Sequence, residues 1–391
     1  MRVPLADLAR EFDLDGEDVI AAAMRVLGSG RYILGPEVEA FEREVSTYLG
    51  AAHAIGVGTG TDALWLALRA AGVGPGDVVL TTPFTFFATV SSIRNLGAIP
   101  VFADIDPDTF TIDPAGVAEV LGDGSSIAAR QQITTSTIRA VVPVHLFGQP
   151  ADMSSIIAIA SEHGVPVIED AAQAMGAQYD GRHVGTLGDL GCLSFFPTKN
   201  LGGFGDGGMV VTGSESLAHS VRSLSRHGSV GKYVHGFVGT NSRLDELQAA
   251  MLRTRMPRLD ASIARRREIA TTYDESLAAV ESITGPHIGP KRTHTFHQYV
   301  IRVPAASRDE LRRALAEEGV ETAVHYPVPA HLQRALADLG YRTGDFPVAE
   351  TASGEVVSLP LFPSMTPEEQ EHVVSALHRA TDKVLVGRGA A

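Results

Sequence analysis

The sequence predicts an α/β protein in which a large domain, built around a mostly parallel seven-stranded sheet, is followed by a smaller α+β domain. Three observations predict it. Seven short apolar, β-branched runs fall between residues 50 and 215. Their apolar positions are continuous rather than alternating, as in strands covered on both faces. Segments of helical length separate them, which makes βαβ units.

The strands are read at HAIGV (53–57), DVVLTT (77–82), IPVFAD (99–104), IRAVVPVH (138–145), VPVIED (165–170), GCLSFF (191–196) and GMVVT (208–212). Helices are expected at 62–71 and 152–163, and a loop at 122–126. From Asn241 the pattern RLDELQAAMLRTRM reads as an amphipathic helix. Pro257 interrupts it and ASIARRREIATTYDESL continues it, so a long, broken helix leads away from the sheet. Beyond lie a strand in FHQYVIRV (296–303), a helix around 307–318, and a helix at 367–378 with Thr366 as its N-cap and Pro367 in its first turn. Residues 1–250 are assigned to the large domain and 251–391 to the small one. No internal repeat or low-complexity tract interrupts them.

A net charge of −14 with 44% hydrophobic and 20% charged residues describes an ordinary globular chain, long enough to bury two or three cores. The acidic balance argues against nucleic-acid binding, and the want of an apolar run of 18 residues argues against a membrane-spanning helix. Cys192 stands alone, and the N-terminal MRVPLADLAREF has no basic start followed by an apolar run. A cytoplasmic enzyme is therefore expected. Lysine occurs four times, at 199, 232, 291 and 383, against 28 arginines. A lysine in an apolar, glycine-rich neighbourhood then stands out for its titratable amine, a role arginine cannot take.

Lys199 is that lysine. It lies in SFFPTKNLGGFGDGG (194–208), between a strand and a loop of five glycines. Partial desolvation there lowers an amine's pKa and makes it a nucleophile able to form a Schiff base with an aldehyde, unless it is simply a loop lysine beside glycines. Strand VPVIED ends in Asp170, at the end of the strand where α/β ligands gather. A carboxylate there suits the ring nitrogen of pyridoxal phosphate, whose protonated form is an electron sink; the same residue also suits a helix N-cap. Gly58-Thr59-Gly60-Thr61-Asp62-Ala63 follows a strand and opens a helix, a phosphate-binding context. The string also satisfies the dinucleotide pattern G-x-G-x-x-A. A nicotinamide dehydrogenase would need an acid closing the next strand, whereas Asp77 precedes DVVLTT. No residue is assigned to a metal.

Taken in order, GTGTDALWLAL, TFFATV, PVHLFGQPADM, EDAAQAMGA, SFFPTKNLGGFGDGG, RHG, NSRLDELQAAML and HYPVPAHLQ resemble the pyridoxal-phosphate-dependent sugar aminotransferases of the DegT/DnrJ/EryC1/StrS family over nearly the whole chain. The resemblance implies a fold-type I aminotransferase homodimer with shared active sites, acting on nucleotide-linked keto-sugars. It implies Lys199 as the Schiff-base lysine, Asp170 as partner of the ring nitrogen, and Gln173 on the ring hydroxyl. Phe86 and Ala172 would cover the two ring faces. Gly60, Thr61 and Ser194 would hold the phosphate, joined by Asn241 from the neighbouring subunit. His325 and Tyr326 in HYPVP are implied beside the sugar, with Tyr32 of SGRYILG as a further candidate. The chain departs at Phe196, where relatives often have tyrosine, so a hydroxyl contact is missing. His145 and His227 stand in family-like strings without an assigned role.

One branch of the superfamily carries histidine at the lysine position and dehydrates its substrate, so Lys199 favours transamination. The string P-x-K-N-L-G-x-x-G-D-x-G resembles the branch aminating the C3 keto group, while the C4 branch more often shows T-T-G-E-G-G. The expected activity is ping-pong transamination of a nucleotide-activated 3-keto-deoxyhexose, with dTDP as the expected nucleotide, to a 3-amino sugar. L-glutamate is the expected donor, and Lys199 serves as both leaving group and general base. Amination at C4, a nicotinamide dehydrogenase and a non-catalytic ligand-binding relative are the alternatives.

Overall fold

The computed structural model describes residues 1–133, 135–278 and 280–386. All seven expected strands of the large sheet form: β1 (His53–Val57), β2 (Val78–Thr81), β3 (Ile99–Phe102), β4 (Ile138–Val141), β5 (Ile168–Asp170), β6 (Leu190–Ser194) and β7 (Gly208–Thr212). One parallel ladder runs β3-β2-β4, and a second ladder runs β5-β6-β7-β1. Parallel bridges Val141–Val167 and Val144–Asp170 join β4 to β5, giving the order β3-β2-β4-β5-β6-β7-β1. Six strands share a direction. β7 alone is antiparallel to both neighbours, β1 and β6. The loop carrying Lys199 therefore turns back from the carboxyl end of β6 into the adjacent strand.

The continuous apolar runs have the predicted cause. On one face Leu64, Leu66 and Leu68 of the helix Gly60–Ala70 pack with Ile55, Val79, Cys192 and Val210. On the other, Val38, Phe41, Val45 and Leu49 of the helix Pro36–Leu49 pack with Leu193, Met209 and Val211. Strands covered on both faces keep no polar alternation.

The helix expected from Asn241 begins at Glu246, because residues 241–245 are held as an extended connection. Asn241 bridges to Arg226 and Asp245 to Ile33. Ser242 Oγ accepts from Gly58 N and donates to Asp62 Oδ2, both at 2.9 Å. The buried Glu246 carboxylate then accepts N–H groups of Gly35, Glu37 and Val38 at 2.7–2.9 Å, capping the helix Pro36–Leu49. The expected break follows at Pro257: a 3₁₀ turn at Met256–Arg258 separates Glu246–Arg255 from Leu259–Leu277.

In the C-terminal part, β8 (Tyr299–Arg302) pairs antiparallel with β9 (Val356–Leu359). The helices Ala305–Glu317 and Pro367–Thr381 cover this pair, the latter opened by a capping box of Thr366 and Glu369. Tyr299, Ile301, Leu311, Leu315, Val357, Val373 and Leu377 form its core, joined by Val3, which bridges to Val320. The segment carrying His325 and Tyr326 leaves this core for the large sheet, where Ala330 N donates to Pro83 O at 2.7 Å.

Candidate active site

The carboxyl ends of β1, β2, β4, β5 and β6 converge on one cavity of about 310 Å³. This is where α/β sheets place ligands.

At one end lies the N-terminus of the helix Gly60–Ala70. Thr59 Oγ1 accepts from Asp62 N at 2.9 Å, and Gly60 and Thr61 line the cavity with first-turn N–H groups that a helix cannot satisfy internally. A Cβ on Gly60 would lie 2.7 Å from Ser194 Cβ, so glycine alone lets this turn close on the strand. The Ser194 hydroxyl joins the lining there. N–H groups, a hydroxyl and a helix dipole together fit a phosphate dianion.

In the middle stands Asp170, 5% exposed. Thr89 Oγ1 donates to its Oδ2 at 2.7 Å, and Ala172 N to its Oδ1 at 3.2 Å. Burial pushes the carboxyl above its ordinary range, against the pull of these bonds and of Lys199. A buried carboxylate calls for a positive partner, which a protonated ring nitrogen supplies. Lys199 lies half-buried in the same cavity, and burial lowers its amine to about 8, with Asp170 opposing. The other lysines face elsewhere: Lys291 and Lys383 near Asp180 and Glu317, Lys232 over the Tyr233 ring. Ala172 and Phe86 also line the cavity, Phe86 with 57% of its surface open. Such an exposed aromatic face suits a stacked ring. Gln173 accepts from Phe147 N at 2.7 Å.

The far end is formed by the C-terminal part. Gln173 Nε2 donates to Tyr326 Oη at 2.9 Å, and the Tyr326 ring lies 5.9 Å from that of Phe86. Burial raises the Tyr326 hydroxyl and keeps it a donor. His325 Nδ1 is 2.8 Å from Ser358 Oγ, and burial, helped by Lys199, lowers the imidazole to about 4. His325 is thus neutral near pH 7. Thr85, Phe196, Thr198, Asp206, His297 and Gln298 also line the cavity. Phe196 places a bare ring where a tyrosine would bring a hydroxyl.

Ten of the twelve site residues expected from sequence therefore meet in this cavity: Gly60, Thr61, Phe86, Asp170, Ala172, Gln173, Ser194, Lys199, His325 and Tyr326. The other two do not line the cavity of their own chain. Tyr32 is exposed and donates to Leu27 O at 3.2 Å, and Asn241 is exposed beside its bridge to Arg226. Sequence reasoning does not single out Thr89, Ser358 or His297. Thr89 lies in TFFATV beyond a strand and Ser358 in a stretch to which no element is assigned, so neither hydroxyl stands out in sequence, and His297 sits inside a run that reads as strand. His145 proves structural: Ala151 N donates to its Nδ1, so Nε2 carries the proton and donates to buried Glu169 at 2.8 Å. Asp77 is occupied at the opposite end of β2 by Gly74 N and Arg139, away from any dinucleotide.

Known proteins resemble the chain over almost its full length. A pleiotropic regulatory protein of Geobacillus stearothermophilus is 48% identical over 379 residues, 96% of this chain and 98% of that protein. A dTDP-3-amino-3,4,6-trideoxy-alpha-D-glucose transaminase of Streptomyces venezuelae is 42% identical, covering 98% of this chain and 97% of its own. The crystal structure of S. venezuelae DesV in complex with a ketimine intermediate superposes with a TM-score of 0.91 at 42% identity, over 98% of this chain and 99% of that one. The cofactor is pyridoxal 5′-phosphate, in keeping with the phosphate end, the buried carboxylate and the amine of the cavity. The sequence model of the DegT/DnrJ/EryC1/StrS aminotransferase family matches residues 13–378, and the chain belongs to that family of sugar aminotransferases.

Proposed function

We propose that the protein transfers the amino group of L-glutamate to the C3 keto carbon of a nucleotide-linked deoxyhexose, with dTDP as the nucleotide. One observation carries the reading: the Lys199 amine and the Asp170 carboxylate share a cavity with a phosphate-binding helix terminus at one end and His325 and Tyr326 at the other. The transaminase names of the relatives support the C3 position.

Bound pyridoxal phosphate supplies the aldehyde that carries the amino group and the electron sink that stabilises charge on the donor's α-carbon. The chain does the rest. Gly60, Thr61 and Ser194 hold the phosphate, and Asp170 keeps the ring nitrogen protonated. Phe86 and Ala172 bound the ring, and Gln173 fixes both the ring hydroxyl and Tyr326. Lys199 Nζ takes the α-proton of the donor and later returns a proton to the sugar carbon, a task suited to an amine lowered to about 8. His325, neutral and tethered by Ser358, and Tyr326 donate to sugar oxygens.

The protein acts as a cytoplasmic homodimer in this reading, Asn241 reaching the partner's phosphate site. Exposed Val230, Tyr233, Val234 and Val238 on and beside the hairpin that precedes Asn241 support a covered face there. To test the activity, the keto-sugar is generated in place and the product's new C–N bond located by NMR. An amine at C3 with consumption of glutamate is expected. An amine at C4, or no transfer at all, would overturn the proposal. Because misplaced hydroxyls leave buried polar partners unpaired, discrimination against the 4-keto isomer should exceed roughly a hundredfold in kcat/KM, about 2.7 kcal/mol.

A further inference from the structure

We infer that Thr89, backed by Thr85, is a positioning residue for Asp170: a relay of two buried hydroxyls that aims the carboxylate and holds it ionised against the cofactor's ring nitrogen. Thr89 Oγ1 lies 2.7 Å from Asp170 Oδ2 and 2.8 Å from Thr85 Oγ1. All three side chains are at most 5% exposed. A threonine hydroxyl has a single proton and an ionised carboxylate has none, which sets the direction of the chain. Thr89 donates to Asp170, and Thr85 must donate to Thr89.

The arrangement departs from habit. A threonine inside a helix usually turns its hydroxyl to a backbone carbonyl one turn earlier. Thr89, in the helix Phe87–Asn95, sends its hydroxyl sideways to another element. A valine of the same shape would fill the space without a buried hydroxyl to satisfy, so packing alone does not explain the residue. With Thr89 on one oxygen and Ala172 N on the other, the carboxylate is held at both oxygens where Asp170 lines the cavity.

The relay matters because of where Asp170 sits. Burial favours the neutral acid, and Lys199 acts electrostatically against it; Cys192 and Tyr326, also facing it, bring no positive charge, nor does His145 with its single proton on Nε2. Hydrogen bonds to the charged form offset that burial. Without them the shared proton shifts from the ring nitrogen to the carboxylate, and the electron sink weakens.

The test, which rests on cofactor binding here, uses holoenzyme reconstituted with pyridoxal phosphate isotope-labelled at the ring nitrogen, whose NMR shift reports its protonation. Wild type should show a protonated nitrogen; a neutral one there would refute the cofactor role of Asp170 itself. Thr89→Val should move the shift toward the neutral value and slow the glutamate half-reaction at least tenfold, while Thr89→Ser restores both. Thr85→Val should move the shift the same way by less. An unmoved shift in Thr89→Val overturns the relay, and if that variant does not fold, an unmoved shift in Thr85→Val does so.

Discussion

Gln173 and Tyr326, 153 residues apart, are joined by one hydrogen bond of 2.9 Å from Gln173 Nε2 to the tyrosine hydroxyl. Gln173 follows β5 of the large sheet, and Tyr326 belongs to the segment crossing from the C-terminal core. The amide is itself held, since its Oε1 accepts from Phe147 N. One residue thus couples the part of the cavity built by the large sheet to the end formed by the C-terminal part.

Tyr326→Phe removes the hydroxyl and leaves a buried amide hydrogen unpaired. Stability should fall by about 1–3 kcal/mol. In the proposed reading the keto-sugar, and not glutamate, meets this hydroxyl, so kcat/KM for the sugar should drop at least tenfold while the glutamate half-reaction changes by less than threefold. Stopped-flow measurement of each half-reaction separates the two. An equal loss in both would show that Tyr326 supports the cofactor and not the sugar.

Lys199 should show its altered amine in two ways. The neutral amine is the nucleophile, so the rate at which apo-protein captures pyridoxal phosphate should rise with pH up to about 8 and level off above it. Lys199→Arg should abolish capture. Burial lowers this pKa from 10.5, so the charged amine opposes folding: fully below about pH 8, progressively less between 8 and 10.5, and not at all above. Lys199→Met should therefore raise the apo-protein's Tm at pH 7, with the gain shrinking as pH rises through that window. Capture independent of pH between 6 and 9 would remove the lysine's claim.

Much of this is legible in the sequence, for identifiable reasons. The seven strands announce themselves because burial on both faces strips polar residues from runs such as IPVF and GMVVT. Lys199, Asp170 and the Gly60 turn were legible because each needs a residue type at a strand end. What escaped depends on distant partners. Nothing near Glu246 says that its carboxylate caps a helix beginning at Pro36. The late start of the helix after Asn241 likewise follows from the Ser242 bonds to Gly58 and Asp62, about 180 residues away. Thr89 and Ser358 are ordinary hydroxyls until the fold sets them against Asp170 and His325.

Asp170→Asn keeps the size of the side chain and removes its charge. The lost stabilisation belongs to charge that develops on the way to the transition state, so kcat should fall by at least a hundredfold while cofactor Kd rises by less than tenfold. Equilibrium dialysis and steady-state kinetics give the two values. A rate within a few-fold of wild type would reduce the carboxylate to a cap on the Ala172 N–H.

Subunit mixing tests whether the sites are shared. Asn241 is exposed and lines no part of its own cavity, while Lys199 lines it. In a C2 dimer where each site takes its lysine from one chain and its asparagine from the other, Lys199→Ala and Asn241→Ala fail in complementary ways. A hybrid of the two carries one site with both faults and one with none. Random reassortment makes half the dimers hybrid, each with one working site of two, so about a quarter of wild-type activity should return from two inactive parents. Sedimentation should show a dimer throughout. If mixing restores nothing although hybrids form, or if a monomer turns over, each chain completes its own site and Asn241 has no role in the partner's.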